Sequence, residues 1–180
     1  MESNILLERR ALEFRQEHGL GPADAVQLKS LLLKLQVLTV YWPMSDAFSG
    51  MSLKDNDSRR FILINSNQPR GRQHFTIAHE LYHLFIDAPK PHNCGEGEKS
   101  SSEVNADKFA SIFLMPEAAV IQMLPVAELQ TKQVSLATVI RLEHYFSVSR
   151  IALLNRLTDL KIITKTQRET FLRVPVLESA

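Results

Sequence analysis

Helical and extended apolar patterns follow one another along this 180-residue chain. Ser3 and Asn4 can cap a first helix that ends near Gly19. Pro22 opens a second, to about Gln36, with Val26, Leu28, Leu31, Leu32 and Leu35 as its apolar stripes. The texture then changes. Val37 to Trp42 is β-branched and aromatic and stops at Pro43, Phe48 to Leu53 is a weaker strand, and Phe61 to Asn65 is a strong one. Asp55, Asn56, Asp57 and Ser58 form a turn cluster between the last two. Three strands with short links predict a small, mostly antiparallel sheet.

Downstream the period is helical again. Ala78, Leu81, Tyr82 and Phe85 fall at i, i+3, i+4 and i+7 and mark the core face of a helix from about Arg72 to Asp87. Lys90 to Ser101 reads as a polar loop. Ala106, Phe109, Ala110 and Phe113 stripe a helix from Ser102 to Leu114, and Pro116 starts a short one reaching Leu124. From Lys132 the pattern is helix, turn, helix. Leu136, Val139, Ile140 and Tyr145 stripe the first; Ile151, Leu154, Leu157 and Leu160 stripe the second, with Ser149 as its N-cap. The predicted class is α+β. A core with a small sheet and one central helix occupies 1–131, and a helix-turn-helix-like module occupies 132–180.

Chemistry concentrates on the central helix. His79 and His83 are four residues apart and so project from one helical face, close enough to share one ion. Glu80 stands beside the first histidine, placed to take a proton from water; this is the H-E-x-x-H arrangement of metallopeptidases. Catalytic Zn²⁺ usually has three protein ligands plus water. Glu103 on the next helix can supply the third, and Asp107, one turn on, can accept a hydrogen bond from a ligand imidazole. The Glu103/Asp107 spacing is similar to that of thermolysin-like peptidases. Ser100 to Glu103 also reads as a capping box, so Glu103 has a purely local use too. Glu96 and Glu98 compete as third ligands from a Gly-flanked loop; a helix gives Glu103 the better-defined direction. In the same loop Cys94, with His92 nearby, is a free thiol that could also cap a zinc ion. Tyr82, His74 and Tyr145 are alternatives for stabilising an oxyanion.

Composition adds limits. Net charge is +1, which selects no class of partner, but its distribution is uneven. Residues 1–131 hold 13 basic and 16 acidic side chains, whereas 132–173 hold eight and three. In that basic module Arg150 and Arg156 could touch DNA phosphates. The modest excess favours contacts with the core or a protein substrate instead. One cysteine excludes an internal disulfide and fits the cytoplasm. No signal-peptide core and no run of ~20 apolar residues is present, so no membrane partner is expected.

Three stretches together resemble the ImmA/IrrE metallo-endopeptidases. They are Ile64-Asn65 with Gln73 to His83, Glu103 to Ala110 with Leu114-Met115-Pro116, and Val134-Ser135 through Val148-Ser149 to Arg156-Leu157. Tyr82 departs from the pattern, standing where a small residue, often Gly, is common. The resemblance implies a zincin-like core and one zinc ion. It also implies regulatory proteolysis of a helix-turn-helix transcriptional repressor. A different class, a zinc-containing DNA- or protein-binding regulator without peptidase activity, is weighed against it by Glu80, for which a purely structural zinc site has no use.

Overall fold

The computed structural model describes residues 2–55, 59–87 and 100–175. Cys94, His92, Glu96 and Glu98, with Asn56, Asp57 and Ser58 of the turn cluster, lie outside the described residues.

Helix α1 spans Asn4–Glu17, and its N-cap Ser3 accepts from the Leu6 N–H. Its inward face carries Leu7, Ala11 and Phe14, and also Arg15, which is 1% exposed. The Arg15 guanidinium donates to the carbonyls of Phe113, Gly21 and Asp24 at 2.6–2.7 Å. Burial lowers its pKa, opposed by the charge of Asp24. This explains why the second helix does not begin at Pro22. The Gly21 and Asp24 carbonyls face Arg15 instead of an i+4 N–H, and α2 covers only Leu28–Lys34.

Strands β1 (Val37–Trp42), β2 (Gly50–Lys54) and β3 (Arg60–Asn65) form one sheet in the order β1-β3-β2. The α+β class holds, but the sheet is mixed rather than mostly antiparallel. β2 runs antiparallel to β3, and β1 runs parallel to it. The link after β1 crosses to the far side of β3 instead of closing a hairpin, and Asn65 holds it there. Its amide donates to the carbonyls of Ser45 and Phe48, and its Oδ1 accepts from the Met44 N–H.

Helix α3 (Arg70–Phe85) lies on one face of the sheet, with Ile62 and Ile64 beneath it in the core. The approach is close. A Cβ on Gly50 would stand 2.7 Å from the Thr76 methyl and from the Leu63 carbonyl, so β2 passes α3 only because residue 50 has no side chain. Helix α4 (Ser101–Leu114) packs beside α3 and α1. Phe109 and Phe113 stack at 5.6 Å, with Phe14 edge-on to both.

Two short helices, α5 (Glu117–Met123) and α6 (Val126–Thr131), lead to α7 (Leu136–Phe146), α8 (Arg150–Asp159) and α9 (Lys165–Leu172). α6 and α9 carry no buried residue, which is why no stripe announced them. Ser135 and Ser149 cap α7 and α8, as their positions predict. On α8 Leu154 and Leu157 of the expected stripe are buried, but Ile151 is exposed and Leu153 takes its place inside. The α7–α8 turn sits against the start of α3: a Cβ on Gly71 would stand 2.5 Å from the Ser149 nitrogen.

Arg150 and Arg156 do not serve as phosphate contacts. Both are more than nine-tenths buried. Arg150 pairs with Glu143 through Nε and Nη2, and Arg156 Nε donates to the Met115 carbonyl at 2.9 Å. Each guanidinium is turned into the fold, where it bonds a group of the protein.

Candidate metal centre

Helical geometry places His79 and His83 one turn apart on the α3 face that looks toward α4. Their Nε2 atoms are 3.2 Å from each other. Glu103, in the first turn of α4, brings one carboxylate oxygen to each: Oε2 is 3.2 Å from His79 Nε2, and Oε1 is 3.3 Å from His83 Nε2. The Ser100 cap fixes that turn by accepting from the Glu103 N–H. The capping and ligand readings of this segment are therefore compatible, because the cap uses the Glu103 backbone and leaves its side chain free to turn inward.

The opposite ring edges are held as well. His79 Nδ1 lies 2.9 Å from Asp107 Oδ1. His83 Nδ1 lies 3.4 Å from Asp87 Oδ2, which also accepts a short hydrogen bond from Ser102 Oγ. A carboxylate at Nδ1 keeps the proton there and turns the Nε2 lone pair to the common point. Burial opposes charge on His79, but its hydrogen bond to Asp107 and the nearby Glu80, Asp107 and Glu103 carboxylates prevail and raise its pKa above 6.5.

The donor set fits a metal ion. A tetrahedral ion with bonds of about 2.0–2.1 Å holds its donors roughly 3.3 Å apart. The three separations here are 3.2, 3.2 and 3.3 Å. Two Nε2 lone pairs and a carboxylate facing one point repel unless a cation lies between them. Glu103 is 44% exposed by side chain, so the centre is open on that side.

Glu80, next to His79 on α3, reaches the sheet. It is buried, and its Oε2 accepts a 2.6 Å hydrogen bond from Ser52 Oγ on β2. Ser52, Ser102 and Asp87 were not foreseen. Asp87 had a signal, since it stands four residues after His83 as Asp107 does after Glu103. Ser52 had none, because only the strand register brings β2 to this helix. Of the three oxyanion alternatives, two are used within the fold. Tyr82 is 2% exposed and packs on Phe109. Tyr145 donates to the Ala23 carbonyl. His74 is half-buried near the start of α3, and burial lowers its pKa, with the charge of Arg70 acting the same way.

A helix carrying two histidines and a glutamate, backed by a sheet and completed by a carboxylate from the next helix, defines a zincin-like metallopeptidase architecture. Residues 34–158 match the family model Peptidase_M78, the IrrE N-terminal-like domain, and the chain belongs to that family. Among solved structures it is similar to a Mycobacterium tuberculosis transcriptional regulator, with 18% identity and a TM-score of 0.54. The likeness covers 84% of this chain and 46% of that one, so this chain spans about half the length of that structure, and it shows the shared fold alone. No curated protein matches the chain. No described helix is long and apolar enough to cross a membrane.

Proposed function

We propose that the protein is a cytoplasmic zinc-dependent endopeptidase that cuts a protein substrate, a helix-turn-helix transcriptional repressor. The observation that carries this reading is the convergence of His79, His83 and Glu103 beside Glu80, whose carboxylate is already oriented by Ser52. Two imidazoles and one carboxylate at these separations suit zinc. Membership of a peptidase family supports a protein substrate. The choice of a repressor draws on the resemblance to ImmA/IrrE enzymes, and the name of the M. tuberculosis structure is in keeping with a regulatory setting.

The chain's own residues have separable tasks. A zinc ion, when bound, supplies Lewis-acid polarisation of the scissile carbonyl and makes a water more acidic. Glu80 takes the proton of the attacking water and returns it to the leaving amine. Ser52 donates to Oε2 and holds the carboxylate in place. Asp107 and Asp87 hold the Nδ1 protons of His79 and His83. The outer edge of β2, two strands from β1, is open to align a substrate backbone by strand addition. Residues 1–131 form the peptidase core, and 132–180 form a module that contacts core and substrate.

Co-expression with neighbouring regulator genes should yield one specific cleavage product. Glu80→Gln should keep zinc and lower the cleavage rate by about 10²–10⁴. Cleavage by Glu80→Gln at the wild-type rate would overturn the mechanism. Zinc binding without cleavage by the wild-type chain would favour a non-enzymatic regulator.

A further inference from the structure

One guanidinium of the C-terminal module is only partly used. Arg156 is 7% exposed, and its Nε donates to the Met115 carbonyl at 2.9 Å. Its Nη2 is buried and has no hydrogen-bond partner among the described residues. Burial lowers its pKa, opposed by the charges of Glu8, Asp159 and Glu117, yet none of these forms an ion pair with it among the described residues. A buried charge ordinarily has its donors paired, and an unpaired one calls for a partner the chain does not supply. Space for such a partner is present. Arg156 forms part of the wall of a cleft of about 410 Å³ where α1, α4 and α8 meet. Glu8 of α1, Ser111 and Ile112 of α4, and Asp159 and Leu160 at the end of α8 also line it. The volume falls in the range of about 300–1,000 Å³ usual for small-molecule sites. None of these residues is a ligand or a brace of the metal centre.

We propose that this cleft binds a free apolar α-amino acid, with its carboxylate on Arg156, its ammonium on Glu8 and Asp159, and its side chain against Ile112 and Leu160. The charges of the wall select a molecule with both signs. Lys108 lines the cleft too, with its Nζ on Asn4 Oδ1 at 2.9 Å, so two cations and two carboxylates surround one space. A simple anion would meet the carboxylates, and a simple cation would meet Arg156 and Lys108. A zwitterion gives each pair its opposite. A carboxylate also suits the guanidinium fork, which can hold it through two parallel hydrogen bonds, and the Ser111 hydroxyl adds a donor to the same wall. Ile112 is buried and Leu160 half-buried, so the apolar part of the wall is already shielded from water and favours an aliphatic side chain over a polar one. The ligand would touch three helices far apart in the sequence, and its binding should therefore oppose unfolding.

The test uses the full chain and depends on neither peptidase activity nor zinc. Calorimetric titration with free leucine should give one site per chain and a millimolar or tighter Kd, and leucine should raise Tm. N-acetyl-leucine lacks the ammonium and leucinamide lacks the carboxylate; each should bind at least about tenfold more weakly. Asp159→Asn, at an exposed position, should keep the wild-type circular dichroism and weaken leucine binding by about tenfold. Arg156→Lys keeps the charge, loses the fork and should weaken it at least as much. No heat and no Tm shift from leucine, isoleucine, valine or methionine at millimolar concentration would overturn the proposal. So would N-acetyl-leucine binding as tightly as leucine, the mark of an anion site only, or a leucine affinity unchanged in Asp159→Asn.

Discussion

The α3–α4 pair and the α7–α8 pair look alike in the sequence. Each is two striped helices joined by a polar segment, with charged or titratable residues at regular spacing. In the structure they use those residues in opposite ways. On α3 and α4, His79, His83 and Glu103 turn into a shared open space, and their far sides are braced by Asp107 and Asp87. On α7 and α8, Arg150 and Arg156 turn into the fold and end on Glu143 and the Met115 carbonyl. Spacing tells which residues share a face. Whether that face meets a ligand depends on whether the protein has already satisfied the groups on it. In the first pair two imidazole Nε2 atoms and a carboxylate converge on one point, whereas in the second each arginine ends on a group of the fold.

Substitutions at the braces should break the first arrangement most. Asp107→Ala should weaken zinc binding by about 10–100-fold in a chelator competition, with apo stability little changed. Asp87→Ala should do the same more mildly, because its contact to His83 is longer at 3.4 Å against 2.9 Å. An equal loss from both would mean that distance does not grade the support.

The pH dependence comes next. His79 has a raised pKa in the metal-free fold, so its protonated form stabilises that fold. That contribution is fully present below about 6.5 and is lost as pH rises through the raised value. Metal needs the neutral ring. Zinc affinity should therefore fall about tenfold per pH unit below the raised pKa, while the apo protein keeps the His79–Asp107 pairing. Zinc titrations at several pH values, run beside apo denaturation curves, should show these opposite trends.

Ser52→Ala should lower the cleavage rate several-fold with zinc affinity unchanged, since it touches Glu80 and no ligand. The smallest effect on the centre is expected from the second pair. Arg156→Ala leaves the Met115 carbonyl without its donor and should cost about 1–3 kcal/mol in urea unfolding, with no change in zinc affinity. A salt-dependent DNA complex lost in Arg156→Ala at intact stability would contradict its inward role.

Much of the centre was legible because its signals are local. The i, i+4 spacing of His79 and His83 and the stripe through Ala78, Leu81, Tyr82 and Phe85 fixed the helix and its faces. Glu103 and Asp107 repeat that logic on α4. What escaped was non-local. The parallel β1–β3 pairing depends on Asn65 gripping the backbone of Met44, Ser45 and Phe48, which no pattern in β-branched residues encodes. Ser52 reaches Glu80 across 28 residues of sequence. Arg15, Arg150 and Arg156 look like surface residues by type, yet each is buried with hydrogen-bonding partners.

Gly50 carries a mechanical consequence. With no side chain between strand and helix, β2 rests directly on Thr76, one turn before Glu80. β2 and α3 therefore move as one part with little play. A peptide laid along the free edge of β2 would meet the glutamate at a fixed stand-off. Selectivity would then be decided by which chains can unfold far enough to lie on that edge, rather than by any adjustment of the blade.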